Sequence, residues 1–217
     1  MRVTTAIAML GAFALAAPAA AITIISSPDP VYRTDTTLIG VPASPGPRDH
    51  WGDLDLTVFF STPLLPLTVG SGWASWGSPP DTEQANPRVF WTQGVTDLTF
   101  TFSSPVDVWG FEAQPNPFSV FDITAEYFNG ATLLGTITRS VDGNAGARLF
   151  AAAADFGTSF THVRVRSGAD FAVAQLRYRL DDGSVIPEPA TWGMMIVGFG
   201  FVGFAMRRRK MMAQITA

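Results

Sequence analysis

Apolar and polar residues alternate most regularly in the second half of this 217-residue chain. A period of two is typical of a β-strand with one buried face, because successive side chains point to opposite sides. Away from the two ends of the chain, no stretch keeps the period of an amphipathic helix. The alternation predicts strands at residues 98–102, 106–112, 118–128, 131–140, 149–153, 161–166 and 171–180.

Turn-forming residues separate these strands. Asn129-Gly130 joins two of them. This dipeptide is a strong hairpin signal and predicts a type I′ turn, in which both central residues take positive φ. Ser103-Ser104-Pro105 predicts a break between the first two strands.

The first half of the chain is rich in turns. Ten prolines lie between residues 28 and 87, so only short pieces can be regular, and strands are predicted at 22–25, 54–60 and 67–69. Four tryptophans of this part are expected to be buried loop anchors or platforms for sugar rings: Trp51, Trp73, Trp76 and Trp91.

Short strands at this spacing predict an all-β domain at residues 22–184, an antiparallel, jelly-roll-like β-sandwich. Cysteine is absent, so no disulfide supports the fold and a packed core must do so. The residues predicted to form that core are Leu98, Phe100, Phe102, Val108, Val120, Ile123, Leu133, Ile137, Leu149, Val163, Val165, Phe171, Val173 and Leu176.

The N-terminal end has the composition of a secretory signal peptide. Met1-Arg2 precedes an uncharged run, residues 3–17, which ends in small residues up to Ala21. This order predicts export by the Sec translocon and cleavage by signal peptidase after Ala21, with Ala19 at the −3 position. An N-terminal membrane anchor is the alternative interpretation of residues 1–21.

The C-terminal end contains three blocks in order. Pro187-Glu188-Pro189 comes first, an uncharged apolar run from Trp192 to Met206 follows, and the basic cluster comes last: Arg207, Arg208, Arg209 and Lys210. The two prolines keep the tripeptide extended. As a helix the run would be roughly 22 Å long, short of the ~30 Å hydrocarbon core. The blocks predict a single membrane helix with its basic end in the cytoplasm; a buried helix of a soluble domain is the alternative.

This tail resembles the PEP-CTERM sorting signal, in the variant that continues with Ala190-Thr191-Trp192. The resemblance implies recognition and cleavage by an exosortase, a membrane-embedded, transpeptidase-like enzyme of Gram-negative bacteria that is often encoded with exopolysaccharide genes. Residues 108–116, 146–150 and 170–176 also resemble segments of extracellular β-sandwich bodies that carry this tail. That second resemblance implies a fold and a location, and no activity.

Charge separates by segment. Of the 14 Lys and Arg residues, one lies in the predicted signal peptide and four in the basic cluster, leaving 9 against 18 Asp and Glu. A body with a net charge of about −9 disfavours nucleic acid and anionic lipid as partners.

The sequence predicts no catalytic residue. Cysteine and a Gly-x-Ser-x-Gly motif are absent, and the two histidines, His50 and His162, are far apart in sequence. Asp49, Asp53 and Asp55 crowd one segment and are a candidate Ca²⁺ site, since hard cations bind clustered carboxylates in irregular loops. Solvated loop acids are the alternative interpretation, and no other cofactor is expected.

Three functions remain open. The first is a non-enzymatic surface or extracellular-matrix protein, processed through its tail, passing through the inner membrane to the cell surface or beyond, with exopolysaccharide as a candidate partner. The second is a carbohydrate-active enzyme, for which two acids in a cleft beside Trp73 or Trp76 would be diagnostic. The third is a permanent single-pass membrane protein. Since the specific signals concern delivery, the sequence favours the first.

Overall fold

The computed structural model describes residues 22–155, residues 157–183 and Phe199 alone. The predicted signal peptide, residues 1–21, and the tail from residue 185, apart from Phe199, lie outside the described residues. No helix in the described part is long and apolar enough to cross a membrane.

The described residues form twelve strands and one short helix. The elements are β1 (Ile22–Ile25), α1 (Pro30–Asp35), β2 (Thr37–Ile39), β3 (Arg48–Gly52), β4 (Thr57–Val69), β5 (Gly72–Trp73), β6 (Arg88–Trp91), β7 (Asp97–Pro115), β8 (Val120–Asn129), β9 (Thr132–Asp142), β10 (Arg148–Ala154), β11 (Phe160–Ser167) and β12 (Phe171–Leu180). The prediction of an all-β body is confirmed.

Strand β7 has different neighbours along its two halves. In the first half, Phe100 pairs with Phe60 of β4 on one side and with Val163 of β11 on the other. In the second half, Glu112 pairs with Leu149 of β10 and with Ala174 of β12. The full sheet order is β2-β12-β6-β4-β7-β11-β8-β9, with β1 paired to β10, β10 to β7, and β3 and β5 to β4. One strand therefore connects two parts of the sheet.

The two halves of β7 pack against each other across the core. The ring of Trp109 lies 4.6 Å from that of Phe102 and 5.5 Å from that of Phe100, measured between centroids, and Phe111 lies 5.3 Å from Phe100. Residues seven apart in an extended strand cannot touch, so β7 bends sharply between them. The break predicted at residues 103–105 is this bend, and the two strands predicted on either side of it are one strand.

Two of the predicted core residues are exposed. Val120 is 63% and Leu133 48% exposed, whereas the other twelve are buried. Val120 lies on the outward face of β8, because Ile123 and the odd-numbered residues after it face the core. The pairing of β8 with β9 shifts register, because Tyr127 pairs with Gly135 and Phe128 pairs with Leu133. The shift places Leu134 in the core in place of Leu133.

The predicted hairpin between β8 and β9 is present, but its turn differs. Asn129 pairs with Thr132, so the two loop residues are Gly130 and Ala131. Gly130 has φ of 52° and is the residue of this turn with positive φ. The predicted type I′ turn over Asn129-Gly130 is therefore wrong, and positive φ at the first central position is that of type II′.

Helix α1 covers the side of β7 that faces away from the main core. Asp29 caps the helix, since its Oδ1 accepts a hydrogen bond of 2.9 Å from the backbone N–H of Tyr32. The Tyr32 ring packs on Val108, Leu149 and Ala151. Gly110 lies beneath this ring, and a Cβ at that position would come within 2.1 Å of the Tyr32 hydroxyl oxygen.

We expect Gly110→Ala to destabilise the body by about 1–3 kcal/mol, because the added methyl must displace Tyr32. Chemical denaturation of the fragment 22–184, followed by circular dichroism, measures the change in free energy of unfolding. Gly40→Ala is the matched control, since nothing lies within 4 Å of a Cβ built at Gly40. Equal stabilities of the two variants would contradict the close contact.

Candidate functional site

Glu112 is a fully buried carboxylate on the second half of β7. Trp109 and Phe111 face the main core, so Glu112 points to the opposite face of the strand. Its Oε2 accepts a hydrogen bond of 2.8 Å from the indole N–H of Trp76. Its Oε1 accepts a bond of 2.5 Å from the backbone N–H of Glu83. Glu112 thereby attaches the segment 76–83 to β7.

Arg177 of β12 is the cation of a buried charge cluster that also contains Glu83 and Glu112. Its guanidinium forms two bonds with the Glu83 carboxylate, 2.6 Å from Nε to Oε1 and 3.0 Å from Nη2 to Oε2. Its Nη1 donates to the backbone oxygens of Arg33 and Thr36, at 3.1 and 3.0 Å. Both charged side chains are more than nine-tenths buried. Arg177 therefore joins α1, the segment 76–83 and the sheet.

A β-bulge orients Arg177. Ala174 pairs with Glu112 and Arg177 pairs with Gly110, so β12 has one residue more than β7 over this interval. Gln175, within the bulge, has φ of 51°, a conformation uncommon for a residue other than glycine. The extra residue allows Ala174 and Arg177 to face the same side. The alternation of residues 171–180 gave no indication of this bulge.

Burial raises the pKa of Glu112 to about 7, against the opposing effect of the hydrogen bonds from Trp76 and Glu83. A carboxyl group with such a pKa suits general acid catalysis. However, Glu112 has no exposed surface and Trp76 is only 3% exposed. The two acids beside Trp76 that an enzyme would need are thus present, but they are enclosed, and their observed contacts anchor a loop.

Because the pKa of Glu112 is raised in the folded state, we expect the free energy of unfolding to fall as pH rises. The folded state keeps the proton up to about pH 7 and the unfolded chain releases it near 4.5, so the stabilisation is complete below pH 4.5 and is lost as pH rises through 7. The free energy of unfolding should fall by about 3 kcal/mol across this window. Denaturation at a series of pH values measures the slope.

In that experiment Glu112→Gln should remove most of the slope, because the amide does not titrate. Glu126→Gln is the control, since Glu126 is bonded to Arg166 away from this cluster. A slope unchanged by Glu112→Gln would assign the effect to other groups.

A second feature is a cavity of about 140 Å³, which we call the Phe118 groove. It lies between the segment that follows β5, the end of β7 with the loop after it, and the turn between β9 and β10. The residues that define it are Trp73, Ser75, Gln114, Asn116, Phe118 and Gly143. Sequence reasoning did not identify it, because these residues come from three separate segments.

The three predicted calcium ligands have separate roles in the structure. Asp49 is paired with His50 Nδ1 at 2.7 Å. Asp53 Oδ1 accepts from the backbone N–H groups of Asp55 and Leu56, at 3.0 and 2.9 Å, and both of its oxygens are 2.9 Å from the Tyr178 hydroxyl. Among the described residues, no group of three or more His, Cys, Asp or Glu is arranged to hold a metal ion. Calcium binding here stays a prediction from sequence.

The contacts of Asp53 predict a structural role that does not depend on calcium. Burial raises the pKa of Asp53, but the hydrogen bonds from Leu56, Asp55 and Tyr178 outweigh burial, so the pKa is lowered. Asp53→Ala should therefore destabilise the body by about 1–3 kcal/mol, because Tyr178 and two backbone N–H groups lose their acceptor.

Thermal denaturation with calcium and with a chelator tests this role of Asp53. Asp55→Ala, which removes an exposed acid of the same loop, is the control. A loss of stability seen only when calcium is present would favour a metal site.

The tryptophans of the first half are anchors in the observed structure. Trp73 and Trp76 are buried. Trp51 donates its indole N–H to the backbone oxygen of Gly40 at 2.8 Å, and Trp91 donates to Asp170 Oδ2 at 2.7 Å. His162 stacks on Phe128 with ring centroids 4.7 Å apart, and His50 lies beside Phe59. Among the described residues of the body, the large exposed hydrophobic rings are those of Phe59 and Phe118.

The molecule thus has an all-β body and, after it, a tail that carries a sorting signal. Residues 185–210 match the PEP-CTERM protein-sorting motif, so the chain carries this motif. The predicted sorting residues Pro187, Glu188, Pro189 and Trp192, the basic cluster, and the cleavage-site residues Ala19 and Ala21 lie outside the described residues.

The solved structures that match this chain include several carbohydrate-binding modules. A variant of CBM29-2, a family 29 carbohydrate binding module, is 10% identical to this chain. The match covers 71% of this chain and 98% of the module, with a TM-score of 0.35. A family 11 module of a Clostridium thermocellum cellulosomal cellulase is 12% identical, with coverages of 67% and 99% and a TM-score of 0.23. Tailspike protein 4 of bacteriophage CBA120 is 12% identical, with coverages of 68% and 20% and a TM-score of 0.27. TM-scores below 0.5 carry no functional argument. No curated protein matches this chain.

Proposed function

We propose that this protein is exported, is cut by an exosortase at its C-terminal signal, and acts without catalysis at the cell surface or in the extracellular matrix, in contact with exopolysaccharide. The sorting motif at residues 185–210 is the observation that carries this proposal. The route begins with the Sec translocon and signal peptidase. It continues through an inner-membrane intermediate held by the apolar segment at residues 192–206, which the sequence predicts to be a membrane helix.

The physical character of the tail supports processing. The prolines of Pro187-Glu188-Pro189 keep the tripeptide extended and open to an enzyme cleft. The uncharged run after it is a marginal membrane span, and the basic cluster retains its end at the inner surface. A chain held in this way presents its motif just outside the membrane until it is cut.

The start of the body supports cleavage after Ala21. Strand β1 begins at Ile22, which pairs with Ala154 of β10. A Cβ built at Gly135 would come within 2.5 Å of the Ile22 side chain, so Ile22 packs closely over that glycine. Removal of residues 1–21 therefore leaves the chain beginning at a residue that already pairs and packs within the body.

The body supports a non-enzymatic role, on a sandwich that we take to be jelly-roll-like. The acids beside Trp76 are enclosed, and their contacts hold loops on the sheet. A carbohydrate-active enzyme would need that pair open to substrate. The excess of acids over bases disfavours nucleic acid as a partner.

Glu188→Ala, or deletion of residues 207–210, should leave an unprocessed chain in the inner membrane, while the wild-type protein is released with its C-terminus near residue 188. Intact-mass measurement of the protein from membrane and extracellular fractions distinguishes the two forms. Asp55→Ala is the control, because it removes an exposed acid of the body outside the signal. Recovery of wild-type chain through Ala217 from cells with a working exosortase would overturn the proposal and favour the permanent anchor.

A further inference from the structure

We infer that the Phe118 groove binds one ring of a neutral extracellular polysaccharide. The inference rests on the proposed function, because it requires the body to reach the polysaccharide outside the cell. It goes beyond that function by naming the site and the charge class of the sugar.

The inner wall of the groove holds an unused acceptor. The Gln114 side chain, 1% exposed, donates from Nε2 to the backbone oxygen of Gly143 at 2.5 Å and to Ser75 Oγ at 3.3 Å. These bonds fix the orientation of the amide. The Gln114 Oε1 atom is buried and has no hydrogen-bond partner. A buried carbonyl without a donor is unfavourable. The oxygen is closed off in the empty groove, so a hydroxyl group would gain this bond only when the wall of the groove moves aside to admit it.

The rim of the groove presents an exposed ring on a fixed loop. Phe118 is 67% exposed. The backbone N–H of Asn116 donates to the Asp170 oxygen at 2.8 Å, and that of Gly143 donates to the Ser119 oxygen at 3.0 Å. A Cβ at Gly143 would lie 1.8 Å from the Pro117 oxygen, so the two turns pack directly on each other. A ring held in this way loses little conformational entropy when a ligand stacks on it.

The size and chemistry of the groove fit a neutral sugar. Its volume of about 140 Å³ is that of a single small ring. A pyranose presents a face of C–H groups that can pack on Phe118 and hydroxyl groups that can bond to Ser75 and Asn116. The residues that line the groove are all uncharged. Together with the acidic surface of the body, this disfavours an anionic sugar.

The test uses the mature protein purified from the cells that produce it, titrated with the neutral fraction of their exopolysaccharide. The acidic fraction, separated by anion exchange, is titrated in parallel. Calorimetry measures affinity, and tryptophan fluorescence reports on the groove, because Trp73 lines it. We expect the neutral fraction to bind, and Phe118→Ala to weaken binding about tenfold through loss of the ring contact.

Two further variants separate a role of the ring from a general effect. Phe118→Trp keeps an aromatic face and should retain affinity. Phe59→Ala removes another exposed ring, 48% accessible, from β4 and should leave affinity unchanged. Equal binding by Phe118→Ala and wild type, equal loss in Phe59→Ala, or failure of the neutral fraction to bind would each overturn the inference. The mass of the mature C-terminus is read from the same preparation, so correct processing without sugar binding leaves the sorting proposal intact.

Discussion

The contact between Phe102 and Trp109, two residues of the same strand, is the constraint on which the rest of the body depends. Because β7 bends between them, its first half pairs with β4 and β11 and its second half with β10 and β12. One chain segment thus lines the core from two directions. With no cysteine in the chain, the aromatic packing at this bend provides the link between the parts of the sheet that a disulfide provides in many exported domains.

The same bend creates the buried charge cluster. The second half of β7 is covered on both faces, by the main core on one side and by α1 and the segment 76–83 on the other. Charged groups on the second face have no access to solvent, so burial strongly favours partners for them within the protein. Glu112, Glu83 and Arg177 meet this requirement together, and in doing so they hold the irregular first half of the chain on the sheet. A proline-rich segment with little regular structure is fixed in this way.

The strands that could be predicted from the sequence are those with one face buried and the other exposed to solvent. In β8 and β11 the alternation is visible, and Ile123, Val163 and Val165 are buried as expected. In β12, residues 171–178 are buried on both faces, so periodicity could not show the bulge at Gln175 or the inward direction of Arg177. The available signal for the buried cluster was Glu112 itself, an acid between the apolar residues Phe111 and Ala113. The sorting motif could be identified because its residues are adjacent in sequence, whereas the Phe118 groove depends on which distant turns meet.

The ionisable groups of the body give opposing pH dependences. Burial holds the pKa of Glu112 above its ordinary value, so its contribution to stability grows as pH falls from 7. The bonds from Arg164 to Asp97 hold the pKa of that carboxyl below its ordinary value of 3.8, so its contribution is present above that pH and is lost only in stronger acid. Asp53 has a lowered pKa and acts in the same direction as Asp97. Between these two windows neither kind of group opposes folding, so these three groups together favour the folded state most on the acid side of neutrality. Mild acidification removes the cost of burying the Glu112 charge, whereas the hydrogen bonds from Trp76 and Glu83 favour the charged form, so the gain in stability comes from relief of desolvation and not from tighter attachment of the segment 76–83.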